Sequence, residues 1–184
     1  MMTERAYTFF EMLITLVLIA VLVAVTLPAL RYFFDNANDR VLQGELMRAV
    51  QFARQAALTR GVPVVLCGST DKRSCTKEWM PYLLTFMTSD KNANQVSDAT
   101  RVLTTTKLPL QQGQLFWRGF PKYRQHLLFL PTGMMESDNG TFWYCYCRKN
   151  LPAWAMVLSK SGRSRLVYPD GNGDIKMGEE TLKC

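Results

Sequence analysis

An apolar stretch near the amino terminus, residues 6–30, constrains the architecture of this 184-residue chain more than any other feature. It carries a single charged side chain, the carboxylate of Glu11. Because a helix rises about 1.5 Å per residue, the stretch is long enough to cross a hydrocarbon layer of about 30 Å. A carboxylate is costly to place in lipid, so Glu11 is a candidate functional residue. The rest of the chain is expected to be a domain that this helix anchors.

The helical pattern continues beyond the apolar stretch. Apolar residues recur at intervals of three and four and form one stripe, which consists of Leu42, Leu46, Ala49, Val50, Ala53 and Ala57. Charged residues, among them Arg48 and Arg54, fall largely on the other side of the helix. Gly61 followed by Pro63 is a typical stop signal. We therefore predict one long helix, transmembrane in its first half and packed on a folded domain in its second.

From Val62 onward the sequence consists of short apolar, aromatic and β-branched runs separated by turn residues. About eight of these runs have the length and composition of strands. A run of strands that follows one long helix indicates an α+β fold class. We predict a long amino-terminal helix followed by a β-rich domain of two packed antiparallel sheets.

The first residues form a short polar leader that contains Arg5. A secretory signal places a small-residue cleavage site after its apolar core, whereas here the small residue Ala6 precedes the apolar stretch. This order predicts cleavage ahead of the apolar stretch, which retains that stretch in the mature protein. The predicted organisation is a leader at 1–6, a transmembrane helix at 7–30, a soluble helical part at 31–60 and a β-rich domain at 61–184.

All five cysteines follow the apolar stretch, as expected for a domain in an oxidising compartment. Cys67 and Cys75 enclose a short polar loop and are predicted to pair. Cys184 is expected to pair with Cys145 or Cys147, whose side chains share a face in extended backbone. The candidate disulfide cysteines are therefore Cys67, Cys75, Cys147 and Cys184, with Cys145 as the open alternative to Cys147.

The sequence offers little for catalysis or metal binding. His126 is the only histidine, and no C-x-x-C pair occurs, so we expect no metal site, no cofactor and no enzymatic activity. The segment Pro169–Asp174 lacks the glycine and the terminal glutamate that a calcium loop would place after Asp174, and a tight β-turn is the better interpretation.

Positive charge is concentrated in the second half of the chain. The chain has a net charge of +7, and residues 101–184 carry 12 lysines and arginines against 6 acidic residues. Such an excess suggests an anionic partner, namely nucleic acid, lipid headgroups or an acidic protein, or a basic isoelectric point that serves only solubility.

A short basic motif lies within this half, with Lys160 and Gly162 followed by Arg163 and Arg165. In extended backbone the two guanidinium groups would project to one side, about 6.5–7 Å apart along the chain. This is close to the spacing of successive phosphates, which arginine binds without reading base sequence. The alternative is a pair of solvated turn arginines that bind nothing.

Residues 6–11, which read A-Y-T-F-F-E, resemble the amino-terminal signature of type IV pilins and type II secretion pseudopilins. The chain has Ala6 where the family usually has glycine, and Phe9-Phe10 where an aliphatic pair is usual. The resemblance implies cleavage between Ala6 and Tyr7 by a prepilin peptidase and N-methylation of Tyr7. It implies a role for Glu11 in filament assembly with other major and minor pilins. It also implies a single pass through the lipid of the bacterial inner membrane, with the carboxyl-terminal domain in the periplasm or on the pilus.

The late G-R-x-R motif behind a β-rich domain resembles the GspH/FimT family of minor pilins, and the FimT-like members most. Members with this motif are associated with DNA binding by type IV pili in natural transformation, and the partner expected for this chain is double-stranded DNA. The resemblance therefore implies a DNA-binding role for Lys160, Gly162, Arg163 and Arg165. The alternative within the same family is a GspH-like minor pseudopilin of a type II secretion system, with a structural or priming role.

The role of Glu11 is testable by substitution. We expect Glu11→Ala to leave membrane insertion intact and to block incorporation into a filament, because the carboxylate would no longer pair with the amino terminus of a neighbouring subunit. Membrane fractionation and quantification of the subunit in sheared filaments measure the two steps. Normal incorporation of the variant would contradict the assigned role.

Overall fold

A computed structural model describes residues 9–89, 101–109, 113–120, 125–136, 139–146, 151–178 and 180–184, with the backbone alone at residues 28–36. Ala6, Tyr7 and Cys147 lie outside the described residues. The predictions made for Ala6 and Tyr7 therefore stay predictions. The chain divides into two units, Met1–Val41 and Leu42–Cys184.

The first unit contains the apolar part of helix α1, which runs from Phe9 to Arg60. Phe9–Leu27 is long and apolar enough to cross a membrane, and all of its side chains are exposed. A helix that is apolar on every side is stable when an apolar environment surrounds it. This segment therefore fits the predicted membrane anchor.

In the second unit, helix α1 packs through the predicted stripe. All six stripe residues, Leu42, Leu46, Ala49, Val50, Ala53 and Ala57, are buried. The helix ends where the sequence predicts, because Gly61 adopts φ 65° and its N–H donates to the carbonyl of Ala57 at 3.0 Å. Glycine reaches this left-handed conformation at little cost, which makes it a favourable residue after the last helical turn.

In the described part of the chain, ten strands follow helix α1, and the eight longer ones correspond to the predicted runs. They are β1 (Val64–Ser69), β2 (Tyr82–Met87), β3 (Val102–Lys107), β4 (Gly113–Gly119), β5 (His126–Phe129), β6 (Asn139–Tyr146), β7 (Pro152–Ser159), β8 (Ser164–Val167), β9 (Lys176–Met177) and β10 (Glu180–Thr181). The antiparallel sheets have the orders β3-β2-β1-β5 and β4-β6-β7-β8, and β9 pairs with β10. The α+β fold class with two antiparallel sheets is confirmed.

One core joins helix α1 to both four-stranded sheets. It combines the helix stripe with apolar residues of the first sheet, such as Leu66 and Phe129, and of the second, such as Phe142 and Trp154. Alternation along β6 separates the two faces of its sheet, with Phe142 in this core and Trp143 in a second cluster on the opposite face. The inner faces of both sheets are therefore fixed by the same helix.

The carboxyl-terminal segment lies on the outer face of the second sheet. Leu182 is buried there beside Ile175, and the Trp143 indole N–H donates to the carbonyl of Lys183 at 3.0 Å. An ion pair between Arg118 and Glu180 adds a connection from β4 to β10. These contacts fix the register of the chain end and bring Cys184 to strand β6.

The structure contains the disulfides Cys67–Cys75 and Cys145–Cys184. The first was predicted. The selection of Cys147 as the partner of Cys184 is wrong, because Cys184 is bonded to Cys145. In extended backbone the C-x-C spacing predicts a shared face for the two thiols and does not distinguish them. The register of the terminal segment on the second sheet brings Cys184 to Cys145.

The loop closed by the first disulfide is organised by Asp71. Its carboxylate accepts hydrogen bonds from the backbone N–H groups of Arg73 and Ser74, both at 2.8 Å, and from the Ser74 hydroxyl. The N–H of Arg73, followed by the Ser74 groups, holds the pKa of Asp71 well below its usual range. Local hydrogen bonds to one carboxylate therefore hold the conformation of this loop.

The disulfide assignment predicts a contrast between two cysteine variants. Cys145→Ser should lower the free energy of unfolding of the soluble domain, residues 35–184, by about 2–4 kcal/mol, because it releases a closed loop of about 40 residues. Cys147→Ser is the matched control and should leave stability unchanged. Chemical denaturation of the oxidised variants measures both values, and destabilisation by Cys147→Ser alone would contradict the assignment.

Candidate nucleic-acid interface

The predicted basic motif forms the turn between strands β7 and β8. The N–H of Ser159 donates to the carbonyl of Arg163 at 3.0 Å, and the N–H of Gly162 donates to the carbonyl of Ser159 at 2.8 Å. Gly162 adopts φ 74°, a conformation that side chains other than glycine rarely take. The turn therefore depends on glycine at the first position of G-R-x-R.

Gly162 also permits a close approach by helix α1. A Cβ atom at this position would lie 2.7 Å from Cδ of Arg54. The Nε of Arg54 donates to the carbonyl of Gly133 at 3.1 Å, so the side chain lies between two glycine turns. The β7–β8 hairpin thus packs against helix α1 through Arg54. The residue spacing of the G-R-x-R motif does not predict this contact.

Arg163 is exposed and held at one nitrogen. Its Nε donates to Oγ of Ser161 at 3.2 Å, and that hydroxyl lies 3.0 Å from Oγ of Ser159. The two Nη groups have no partner among the residues that the structure describes. Serine hydroxyls therefore orient the guanidinium while leaving four N–H donors for an anion.

Arg165 lies in β8 opposite Val157 and is exposed. It makes no hydrogen bond or ion pair within the described ranges. The expected spacing between Arg163 and Arg165 assumed extended backbone at both residues. Strand β8 begins only at Ser164, so Arg163 belongs to the turn and that assumption holds for Arg165 alone.

Lys160 is exposed at the start of the turn, and its backbone is fixed on both sides. Its N–H donates to Oδ1 of Asn139 at 3.3 Å, and its carbonyl accepts from the N–H of Met135 at 2.8 Å. These bonds connect the hairpin to β6 and to the segment after β5. Lys160 therefore lies in a turn whose backbone is held by hydrogen bonds on both sides.

A groove with a volume of about 890 Å³ lies between helix α1 and this hairpin, and we refer to it as the α1–hairpin groove. The helix contributes Met47, Arg48, Gln51, Phe52, Arg54 and Gln55, and the hairpin contributes Gly162, Arg163 and Ser164. Three guanidinium groups thus line one concave surface. Arg165 does not line this groove, so the structure brings Arg163 together with Arg48 and Arg54 and leaves Arg165 beside it.

Sequence reasoning placed Arg48 and Arg54 on the polar side of the helix and did not identify them as site residues. Nothing in the helical periodicity distinguishes them from other solvated charges. Their relation to Arg163 arises because the buried stripe turns this side of α1 toward the β7–β8 hairpin.

Among the residues that the structure describes, the acidic side chain of Glu45 lies next to a groove-lining arginine. Oε1 of Glu45 is 2.7 Å from Nη2 of Arg48, whose side chain is 69% exposed. An exposed ion pair of this kind contributes little to stability, so Arg48 can exchange Glu45 for another anion at small cost. The described residues that line the groove include three arginines and no acidic side chain.

The residues considered for catalysis and calcium binding, His126 and the segment Pro169–Asp174, lie within or form parts of the folded domain. His126 is buried at the start of β5, opposite Cys67. The Asp170 carboxylate accepts the N–H groups of Asn172 and Asp174, and the Asp174 N–H is the main cause of its lowered pKa. The interpretation of this segment as a tight turn is confirmed. Within the described part of the chain, no group of three or more His, Cys, Asp or Glu side chains is placed to hold a metal ion.

Comparisons with known proteins place this fold among pilin-like proteins. The sequence model of the family described as type II transport protein GspH matches residues 43–162. The match includes the helical side of the groove and Gly162, but it ends before Arg163 and Arg165. Among curated proteins, none matches this sequence.

Two solved structures illustrate the likeness. The type IV minor pilin FimU of Pseudomonas aeruginosa is 19% identical, with a TM-score of 0.52 over 73% of this chain and 92% of FimU. The minor pseudopilin EpsH of the type II secretion system of Vibrio cholerae is 14% identical, with a TM-score of 0.45 over 73% of this chain and 97% of EpsH. At 19% identity, the likeness to FimU shows a shared fold.

The seating of the hairpin on the helix is testable at Gly162. We expect Gly162→Ala to lower the free energy of unfolding by about 1–3 kcal/mol, because a positive φ and the contact with Arg54 both disfavour a side chain. Gly171→Ala is the matched control, since no atom lies within 4 Å of its added Cβ and its φ is not positive. Equal stability of the two variants in chemical denaturation would contradict this account.

Proposed function

This chain belongs to the GspH family of minor pilins and pseudopilins, and from that premise we propose that it is a minor type IV pilin that binds DNA for uptake in natural transformation. The observation that carries the proposal is the cluster of arginines at the α1–hairpin groove. Arg163 is oriented by Ser161, Arg165 is exposed beside it, and Arg48 and Arg54 extend the positive surface onto helix α1.

Phosphate contacts explain how such a surface would act. Arginine forks bind phosphate oxygens and release condensed counterions, so affinity falls steeply with salt. Contacts to phosphate also carry no information about base sequence. We therefore expect weak binding per subunit that depends on salt and is nearly independent of sequence, which suits a filament that captures DNA of any origin.

The amino-terminal segment would connect this surface to a filament. In the proposal, a prepilin peptidase cleaves between Ala6 and Tyr7, Tyr7 is N-methylated and Glu11 pairs with a neighbouring pilin. The exposed apolar segment Phe9–Leu27 supports an anchor in the bacterial inner membrane before assembly. The soluble domain would then lie in the periplasm or on the pilus, and no enzymatic step is part of this role.

A second function remains within the same family. The matched family is described as type II transport protein GspH, and the match ends at Gly162, before the two arginines of the motif. A minor pseudopilin with a structural or priming role in type II secretion is therefore the alternative. It predicts no affinity for DNA and a loss of protein secretion when the chain is deleted.

A titration with DNA separates these functions. Soluble domain 35–184 should bind duplex DNA, and the Arg163→Ala/Arg165→Ala double variant should bind more weakly, with a salt dependence reduced by about two phosphate contacts. Fluorescence anisotropy at several salt concentrations measures both effects.

The matched control removes the same charge elsewhere. Arg73→Ala/Lys77→Ala alters two exposed basic residues in and beside the Cys67–Cys75 loop and should leave the affinity close to that of the unaltered domain. Equal binding by the two double variants would falsify the assignment of the site to Arg163 and Arg165.

A further inference from the structure

The α1–hairpin groove contains an exposed aromatic side chain among its arginines. The Phe52 side chain is 43% exposed and lines the groove together with Arg54 and Arg163. It has no ring contact with another aromatic residue in the part of the chain that the structure describes. A phenyl ring open to solvent beside cationic groups offers a face on which an unpaired base can stack.

Two of the three guanidinium groups are held in place before any ligand arrives. Nε of Arg54 donates to the carbonyl of Gly133, and Nε of Arg163 donates to Oγ of Ser161. In each case the Nη groups are without a partner among the described residues. Because their orientation is already fixed, little side-chain entropy remains to be lost when they bind an anion.

The same helix face adds neutral hydrogen-bonding groups. Gln51 and Gln55 are exposed and line the groove on either side of Phe52 in sequence. Together with Arg48 they occupy positions three, four and seven residues apart, which share one face of a helix. Each amide offers both donors and acceptors, as the edge of a nucleobase does.

These features match single-stranded nucleic acid better than duplex. Proteins bind single strands through a positively charged groove that follows the backbone and aromatic side chains on which bases stack. In a duplex the base faces are already stacked, so Phe52 would gain nothing from it. The groove volume of about 890 Å³ lies within the range of about 300–1,000 Å³ that is typical of sites for small organic ligands.

We propose that the α1–hairpin groove binds single-stranded DNA, with an unpaired base stacked on Phe52 and the adjoining phosphates bound by Arg54 and Arg163. The inference rests on the proposed DNA-binding function and specifies the form of DNA that this site takes. An acidic protein segment would satisfy the arginines but would leave the ring of Phe52 and the amides of Gln51 and Gln55 without a role.

The test compares two DNA forms on the full chain in neutral detergent micelles. The probes are an oligothymidylate strand and a blunt-ended duplex with the same number of phosphates, measured by anisotropy at one salt concentration. We expect tighter binding of the strand. Phe52→Ala should weaken strand binding about five- to hundredfold, the range expected for loss of one stacked base, and should leave duplex binding unchanged.

Two further variants control the interpretation. Phe120→Ala removes a phenyl ring that is 62% exposed and outside the groove lining, and should alter neither affinity. Phe52→Trp should restore strand binding, and its indole fluorescence should be quenched by the strand but not by the duplex. Near-ultraviolet circular dichroism checks that each variant retains its fold.

The outcomes separate this inference from the function on which it rests. Equal affinity for strand and duplex, with no effect of Phe52→Ala but a loss in Arg163→Ala/Arg165→Ala, overturns the single-strand inference and leaves the DNA-binding function intact. No binding of either DNA form overturns both. Competition by polyglutamate as strong as that by the strand shows an unselective anion site and also overturns the inference.

Discussion

The packing of one helix stripe against two sheets is the contact on which the rest of the structure depends. Leu46, Val50 and Ala53 of helix α1 are completely buried in a core that also contains Phe129 of the first sheet and Phe142 of the second. Neither sheet would have a dry inner face without the helix, since burial of these apolar surfaces is the main favourable term in folding. The helix therefore determines where both sheets lie within the second unit.

The candidate interface is a consequence of that packing. With the stripe buried, the polar side of α1 that carries Arg48 and Arg54 borders the β7–β8 hairpin, and Arg54 enters the space that glycine leaves open at position 162. Gly162 thus has two functions, since it permits the turn and admits the helix side chain. The arginine of the motif is positioned by local bonds to serine, and the groove is completed by a distant part of the chain.

Fold prediction succeeded where the controlling interactions are local. The helix stop at Gly61, the period of the buried stripe and the eight longer strands all follow from turn chemistry and side-chain periodicity, which act over a few residues. The short strands β9 and β10 were missed because two-residue strands have no periodicity to detect. The bond from Cys184 to Cys145 rather than Cys147 is decided by the register of the terminal segment, a long-range contact.

The sequence by itself determined the helix with its apolar segment, the β-rich domain behind it and the glycine-arginine turn. These depend on hydrophobic patterning and on the conformational freedom of glycine, both of which are properties of neighbouring residues. Only the tertiary structure decided which side chains accompany Arg163. Arg48, Phe52 and Arg54 lie more than 100 residues before it in the chain, and they reach it because the two sheets and the helix share one core.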